Sequence, residues 1–274
     1  MSSPIGIFDS GYGGLTVFKS IQELLPQYDY LYLGDNVHAP YGPRSFKTVY
    51  EYTLSCVTWM LAQGCPLVIL ACNTASARAL RTIQQRDLPL MGADKRVLGI
   101  IRPTAEVIGN YTKTGAVGIL GTLGTILSGS YEAEIAHFAP DVKVFGEACP
   151  MWVSLVEAGE QESPGADFFV QQHIDRLLAA HSKIDTVLLA CTHYPLLLPK
   201  IEAALPAGVR AVAQGPIVAQ SLQDYLQRHP QMEARISTGA PPVFYTTESA
   251  EAFDGPAAQF WGRPVHSRAV DLGH

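Results

Sequence analysis

Two cysteines in this chain sit in nearly the same frame of sequence. Pro66-Leu-Val-Ile-Leu-Ala-Cys72-Asn73-Thr74 is echoed by Asp185-Thr-Val-Leu-Leu-Ala-Cys191-Thr192-His193. Each is a short apolar run, then a cysteine, then polar residues that open a helical pattern. A thiolate is a competent base and a thiol a competent acid, and neighbouring groups tune the balance between them. Two cysteines on opposite sides of one cleft could therefore take a proton from one face of a carbon and deliver one to the other. Each has a candidate tuner. His193 lies two residues beyond Cys191, and Asp9, at the end of the first strand pattern, would sit across the sheet from Cys72.

A carbanion formed without a cofactor needs hydrogen bonds and charges around it. Turns leading into helices present backbone N–H groups and short polar side chains suited to an anion. Ser10, Asn73, Thr74, Thr122 and Thr192 occupy such turns, and Tyr41-Gly42 forms another between Pro40 and Pro43. Each feature also has a plainer reading. A single cysteine at a strand end is usually a small buried hydrophobe, and only the duplicated setting lifts Cys72 and Cys191 above that. Cys56 on a helix stripe and Cys65 before a strand read as core. The glycines at 11–14 lack a full dinucleotide fingerprint. Asp9 could merely cap the next helix, Asp35 reads as a turn residue, and His38, His137, His173 and His181 default to surface or packing roles.

The elements that must position these groups form a repeating pattern. Continuous apolar runs over 4–8, 30–33, 67–71, 116–120, 142–145, 186–190 and 209–213 read as parallel strands covered on both faces. Between them lie amphipathic helices. Over 45–63, Val49, Tyr52, Cys56 and Trp59 recur at helical spacing, and a second helix runs roughly from 167 to 180 with Phe169, His173 and Leu177 four apart. The fold class is α/β, doubly wound, with ligands expected at the carboxyl ends of strands. The opening run Ile5-Gly-Ile-Phe-Asp9-Ser10-Gly11 is echoed by Val117-Gly-Ile-Leu-Gly121-Thr122. The expectation is thus two similar α/β halves facing each other across a cleft. The first half takes residues 1–98 and 206–274 and the second 99–205, with 159–167 an exposed loop and the tail after Gly262 uninformative.

The bulk numbers narrow the function classes. A chain of 274 residues can bury a substantial core, and 47% hydrophobic with 16% charged residues excludes a disordered chain. The net charge is −6, from 19 basic and 25 acidic residues, with no basic cluster to read nucleic acid. No stretch has bilayer length, and the Met-Ser-Ser-Pro opening is unlike a signal peptide. Five cysteines without a close CxxC pair point to free thiols in a cytoplasmic setting and away from a zinc site.

Several motifs together resemble the glutamate racemases of the aspartate/glutamate racemase superfamily. They are Phe8-Asp-Ser-Gly-Tyr-Gly-Gly-Leu-Thr16, Tyr32-Leu-Gly-Asp35 with Pro40-Tyr-Gly-Pro43, and Ala71-Cys-Asn-Thr-Ala75. Gly121-Thr-Leu-Gly-Thr125, Ala148-Cys-Pro150 and Ala190-Cys-Thr-His-Tyr-Pro195 come next in family order, up to about residue 200. The resemblance implies a cofactor-independent racemase that interconverts L- and D-glutamate and supplies the D form to peptidoglycan synthesis, as a homodimer. It makes Cys72 and Cys191 the acid/base pair, assisted by Asp9 and His193. It implies substrate contacts from Asp9, Ser10, Tyr41, Gly42, Asn73, Thr74, Thr192 and His193, with Thr122 and Thr125 beside them, and puts Cys149 in the wall of the site. The order of the motifs gives D-glutamate to Cys72 and L-glutamate to Cys191. Arg102-Pro103-Thr104 departs from the Glu-Pro of many members and puts a cation near the junction of the halves.

Four alternatives stay open on the residues. Aspartate or another small acid would leave the mechanism intact. A thiol hydrolase with Cys191 as nucleophile and His193 as base gives Cys72 no role. A binding protein would hold ligand in the cleft without turnover, and a pyridoxal-phosphate enzyme lacks a lysine in a suitable context.

Overall fold

Ten strands, among residues 3–273, which a computed structural model describes, form two wholly parallel sheets. The reading of the first residues as no signal peptide falls partly on Met1 and Ser2, outside the described residues. The first sheet contains β1 (Ile5–Asp9), β2 (Tyr30–Gly34), β3 (Leu67–Leu70), β4 (Arg96–Gly99), β9 (Val243–Thr246) and β10 (Ser267–Ala269), in the order β10-β9-β2-β1-β3-β4. The second contains β5 (Ala116–Gly121), β6 (Lys143–Ala148), β7 (Thr186–Ala190) and β8 (Arg210–Ala213), in the order β6-β5-β7-β8. Without β9 and β10, the two orders are the same: the leading strand is flanked by the second and third, and the fourth lies outermost beside the third. The doubled cysteine motif is the sequence trace of this doubled topology, because β3 and β7 occupy the same place and each ends at its cysteine.

The central strands are apolar throughout because both faces of each sheet are covered. β1, β2, β3, β5 and β7 are buried at every position. Alternate side chains enter different clusters, Ile5 and Ile7 one and Phe8 another. On one face of the first sheet the helix Phe46–Ala62 lays Val49, Cys56, Val57 and Met60 against Phe8, Val68 and Leu70. Its start is fixed by Ser45, whose hydroxyl accepts the Thr48 N–H at 3.1 Å. Tyr52 and Trp59, expected on that stripe, are only partly buried. On the other face, one cluster runs through both halves. It joins Ile5 and Ile7 to Leu15, Phe18 and Ile21 of the helix Gly14–Leu24, to Val218 and Leu222 of the helix Gly215–Arg228, and to Val187 and Leu189. Each such side chain contributes about 1.5–3 kcal/mol by leaving water, so the halves are packed as one body.

Three expectations are corrected. Arg210–Ala213 pairs with β7, Leu188 opposite Val212, so the return to the first sheet comes after Ala213 and not at 206. The chain could not leave earlier without exposing the edge of β7 and the apolar contacts of Val212. The helix expected from 167 begins at Pro164, capped by Ser163, so the last four residues of the anticipated 159–167 loop are helical. The tail after Gly262 contributes β10. β4, β9 and β10 escaped the apolar-run criterion because they lie toward or at the sheet's edges, where one position of β4, two of β9 and none of β10 are buried.

Candidate active site

Both cysteines emerge where their strands end. Cys72 follows β3 and caps the short helix Asn73–Arg78, its Sγ accepting the Ala75 N–H at 3.4 Å. The thiol also donates to Ser10 Oγ at 3.5 Å. Cys191 follows β7, with Thr192 and His193 on the turn into Tyr194–Leu197. The two thiols line one cavity of about 30 Å³, together with Ser10, Tyr41, Gly42, Asn73, Thr74, Thr122, Thr192 and His193. Residues brought together from both sheets and 183 positions apart (Ser10 to His193) thus surround one small space.

Two named residues stand behind this wall. Asp9 is fully buried at the end of β1, and Thr125 lies beneath Thr122, its Oγ1 accepting the Thr122 hydroxyl at 3.1 Å. Thr74 Oγ1 meets Thr122 Oγ1 at 2.9 Å across the cleft, so the turn after β3 in one half touches the turn after β5 in the other. Cys149, expected in the wall, is buried behind it, its carbonyl accepting the Tyr194 hydroxyl at 3.1 Å. Cys56 and Cys65 are core residues as read.

The surroundings of the two thiols differ in charge. Burial, reinforced by the Asp9 carboxylate, pushes the Cys72 thiol up to about 12, against the hydrogen bonds of Ser10 and Ala75 that favour a thiolate. Cys72 is therefore a neutral thiol near pH 7. Asp9 is itself raised by burial, with the positive charge of His193 and the N–H groups of Gly14 and Gly11 opposing. Its Oδ2 accepts the Gly11 N–H at 2.9 Å, while Oδ1 is buried without a partner. Burial alone would lower His193. Its interactions with Cys191 and Glu157 outweigh that and push it up to about 10, so it is an imidazolium at neutral pH. Its Nε2 donates to Glu157 Oε1 at 2.9 Å.

Glu157 was missed in the sequence. It ends the helix Pro150–Glu157 in a stretch without a motif, and only the packing of that helix against the Cys191 turn brings it to the cavity, with Val153 one turn before it. Ala39 and Pro40 are further unforeseen lining residues. Asp35 is more than a turn residue: buried, it accepts the Tyr41 hydroxyl at 2.5 Å and that of Thr247 at 2.8 Å, and pairs with His38 at 2.9 Å. This fixes the Tyr41-Gly42 turn over the cleft. His173 takes the packing role of the two expected for it. It is buried against Trp152 and bonded to Glu147 at 2.7 Å.

The glycine turn after β1 is explained by contact between the halves. A Cβ on Gly13 would collide with Thr192 Oγ1 and the His193 ring, so only glycine lets this turn approach the Cys191 turn. Arg102, the departure from the family pattern, points away from the thiols, paired with Glu106 at 3.0 Å and lying over the Phe138 ring at 5.0 Å. It borders a second, larger cavity of about 560 Å³ that none of the named site residues line.

The Asp/Glu/hydantoin racemase family model matches residues 5–222. The chain is 39% identical to a glutamate racemase of Dinoroseobacter shibae over 97% of its length and 98% of the relative's. It is 36% identical to one from Streptococcus suis, over 98% of both. Among solved structures, glutamate racemase isoform RacE1 of Bacillus anthracis superposes over 98% of each chain with a TM-score of 0.89 at 33% identity. The Francisella tularensis glutamate racemase in complex with D-glutamate superposes with a TM-score of 0.87 at 27% identity, over 99% of this chain and 98% of that one. An aspartate racemase of Picrophilus torridus, 16% identical with a TM-score of 0.54, shares the fold alone. With two mirrored thiols in one cleft and this likeness along its whole length, the chain belongs to the Asp/Glu/hydantoin racemase family, in its glutamate racemase branch.

Proposed function

We propose that the chain interconverts L- and D-glutamate by moving protons between the α-carbon and two thiols, Cys72 and Cys191. The observation that carries this is the shared cavity, into which two equivalent strands bring one cysteine each from opposite halves. In the L-to-D direction, a Cys191 thiolate takes the α-proton; the carbon–hydrogen bond breaks and a sulfur–hydrogen bond forms. The Cys72 thiol then gives its proton to the opposite face of the planar carbanion and is left as the thiolate. The reverse reaction runs the same steps backward. The His193 imidazolium, held by Glu157, supplies the counter-charge for a thiolate at Cys191, while Asp9 sits on the Cys72 side, the two serving as assistants to the thiols.

Ser10, Asn73, Thr74 and Thr192, with Tyr41-Gly42, would bind the substrate's ammonium and carboxylates and hold the charge that develops next to the α-carbon; Thr122 and Thr125 back them. A cavity of about 30 Å³ has room for a water and not for an amino acid, so the turns that line it must shift to admit substrate. No cofactor takes part in this scheme. The remaining parts of the proposal rest on the family likeness: a homodimer, a cytoplasmic site of action, and delivery of D-glutamate to peptidoglycan synthesis. Among the described residues no helix is long and apolar enough to cross a membrane.

The test is incubation with L-glutamate in deuterated water, with circular dichroism following rotation and mass spectrometry following α-deuterium. Aspartate and the Cys72→Ala and Cys191→Ala variants run alongside. Loss of rotation with deuterium uptake, abolished by either substitution, is the expected result. Turnover of aspartate instead would move the chain to another substrate, and binding without exchange would remove the catalytic reading.

A further inference from the structure

Asn73 has a buried amide nitrogen with no hydrogen-bond partner, on the wall of the cavity. Its oxygen does have one: the Tyr131 hydroxyl, 2.6 Å from Oδ1. The polarity of this contact is set further back. Thr104 Oγ1 donates to the Ile100 carbonyl at 3.1 Å, which uses its only proton. Gln214 approaches the same place, with Ile100 O at 3.2 Å and Thr104 Oγ1 at 2.8 Å from one of its terminal atoms. A carbonyl cannot donate, and Thr104 has no proton left, so the atom facing both must be the Gln214 nitrogen, Nε2. One of its two N–H groups is shared between Ile100 O and Thr104 Oγ1, and the other points to the Tyr131 oxygen at 2.7 Å. Tyr131, having accepted from Gln214, has its own proton free for Asn73 Oδ1. Asn73 Oδ1 is then an acceptor by necessity, and Nδ2 faces the cleft as a donor.

All four side chains are buried, at 3% exposure or less, so no solvent competes for these bonds. The residues also mark the two places where the chain passes between sheets. Ile100 follows β4 on the way out, and Gln214 follows β8 on the way back. From this we propose that Gln214 and Tyr131 are positioning residues, which hold the Asn73 side chain so that it presents two N–H donors, and no acceptor, to a carboxylate of the bound amino acid. The inference rests on the amino-acid substrate proposed above and adds the reason why Asn73 reads an anion. An amide free to rotate would spend part of its time offering its oxygen to the carboxylate, which repels it.

Two substitutions test this. Tyr131→Phe keeps the ring and removes the hydroxyl that fixes the amide. Gln214→Glu keeps the shape but puts acceptors where the nitrogen was, drawing the Tyr131 proton away from Asn73. Tyr131→Phe should raise KM for glutamate about tenfold with kcat changed much less, and weaken D-glutamate binding by calorimetry to the same degree, the scale of one buried hydrogen bond. Gln214→Glu should raise KM at least as far, whereas Gln214→Met, which reverses no polarity, should raise it less. Because the effect runs through Asn73, Tyr131→Phe should change KM little when Asn73→Ala is already present. Melting temperatures establish that each variant is folded. A folded Tyr131→Phe variant with unchanged KM and affinity would overturn the proposal, and so would a full tenfold loss in the Asn73→Ala background. Aspartate is run beside glutamate in every variant. A wrong substrate then shows as silence of the unsubstituted protein on glutamate, and a wrong positioning role as a Tyr131→Phe variant that binds the true substrate normally.

Discussion

The two sides of the cleft share a topology and differ in charge. On the Cys72 side, a thiol held at about 12 faces a hydroxyl, a backbone N–H and a buried carboxylate, Asp9. On the Cys191 side, the thiol faces an imidazolium held at about 10 and braced by Glu157. Duplicated strands therefore deliver duplicated thiols, but the loops around them do not deliver duplicated electrostatics. The lesson is chemical. A protein that inverts a carbon needs one acid and one base at the start of each turnover. A symmetric pair would begin with both protonated or both ionised, whereas unequal surroundings favour one acid and one base.

The strongest challenge to this comparison is removal of either thiol. Cys72→Ala and Cys191→Ala should each lower racemisation by about 10³-fold or more, within or beyond the usual range for a positioned acid or base. The serine variants sharpen the test, because a hydroxyl retains weak proton transfer. Cys72→Ser should retain exchange chiefly with L-glutamate and Cys191→Ser with D-glutamate, read from α-deuterium entering each enantiomer. The same residual preference in both would break the assignment of faces.

Next in size are the assistants. His193→Asn and Asp9→Asn should each cost about 10²-fold. Enantiomers have equal free energy, so kcat/KM must fall equally in both directions, and the asymmetry has to be read elsewhere. The α-deuterium isotope effect should grow mainly with L-glutamate for His193→Asn and mainly with D-glutamate for Asp9→Asn. Equal growth in both directions would mean that the two sides are not divided as described.

Glu157→Gln is a smaller perturbation, since it leaves a hydrogen bond to His193 and removes a charge. Activity of the unsubstituted chain should fall on the alkaline side as His193 loses its proton near pH 10. The variant should show that fall at lower pH, with a loss of about tenfold or less at neutrality. An alkaline limb that does not move would detach Glu157 from the imidazolium. The smallest effect concerns stability. The pKa of His193 is raised by folding, from 6.5 to about 10, so its contribution is fully present below about pH 6.5 and is lost as pH rises toward 10. The melting temperature should decline over that interval, and His193→Asn should flatten the decline.

How much of this the sequence carried depends on what kind of signal each residue left. Cys72 and Cys191 were visible because a buried parallel strand must be apolar at every position, which made the two runs recognisable, and because a repeat draws the eye to the residue that ends it. Ser10, Thr122 and Thr192 were visible for the same reason, each in the turn directly after such a strand. β10 was not, since it buries no position and leaves no apolar run, and β8, though legible as a strand, did not show that it pairs with β7, because pairing is a contact between distant segments. Glu157 was invisible because it lies at the end of an ordinary helix, 34 positions before Cys191, and becomes relevant only through packing. The same holds for Gln214 and Tyr131, which sit in different segments and join in one chain of hydrogen bonds to Asn73 only in the folded protein.

The sequence by itself determined the parallel α/β architecture, its duplication, and the cysteines that end the two equivalent strands, because periodicity and local turn chemistry are properties of neighbours along the chain. Only the tertiary structure decided which charges surround each thiol, how the Asn73 amide is turned, and where the chain returns to the first sheet. Electrostatics and hydrogen-bond polarity depend on distances of a few ångströms between residues far apart in sequence, and those distances exist only once the core has closed around them.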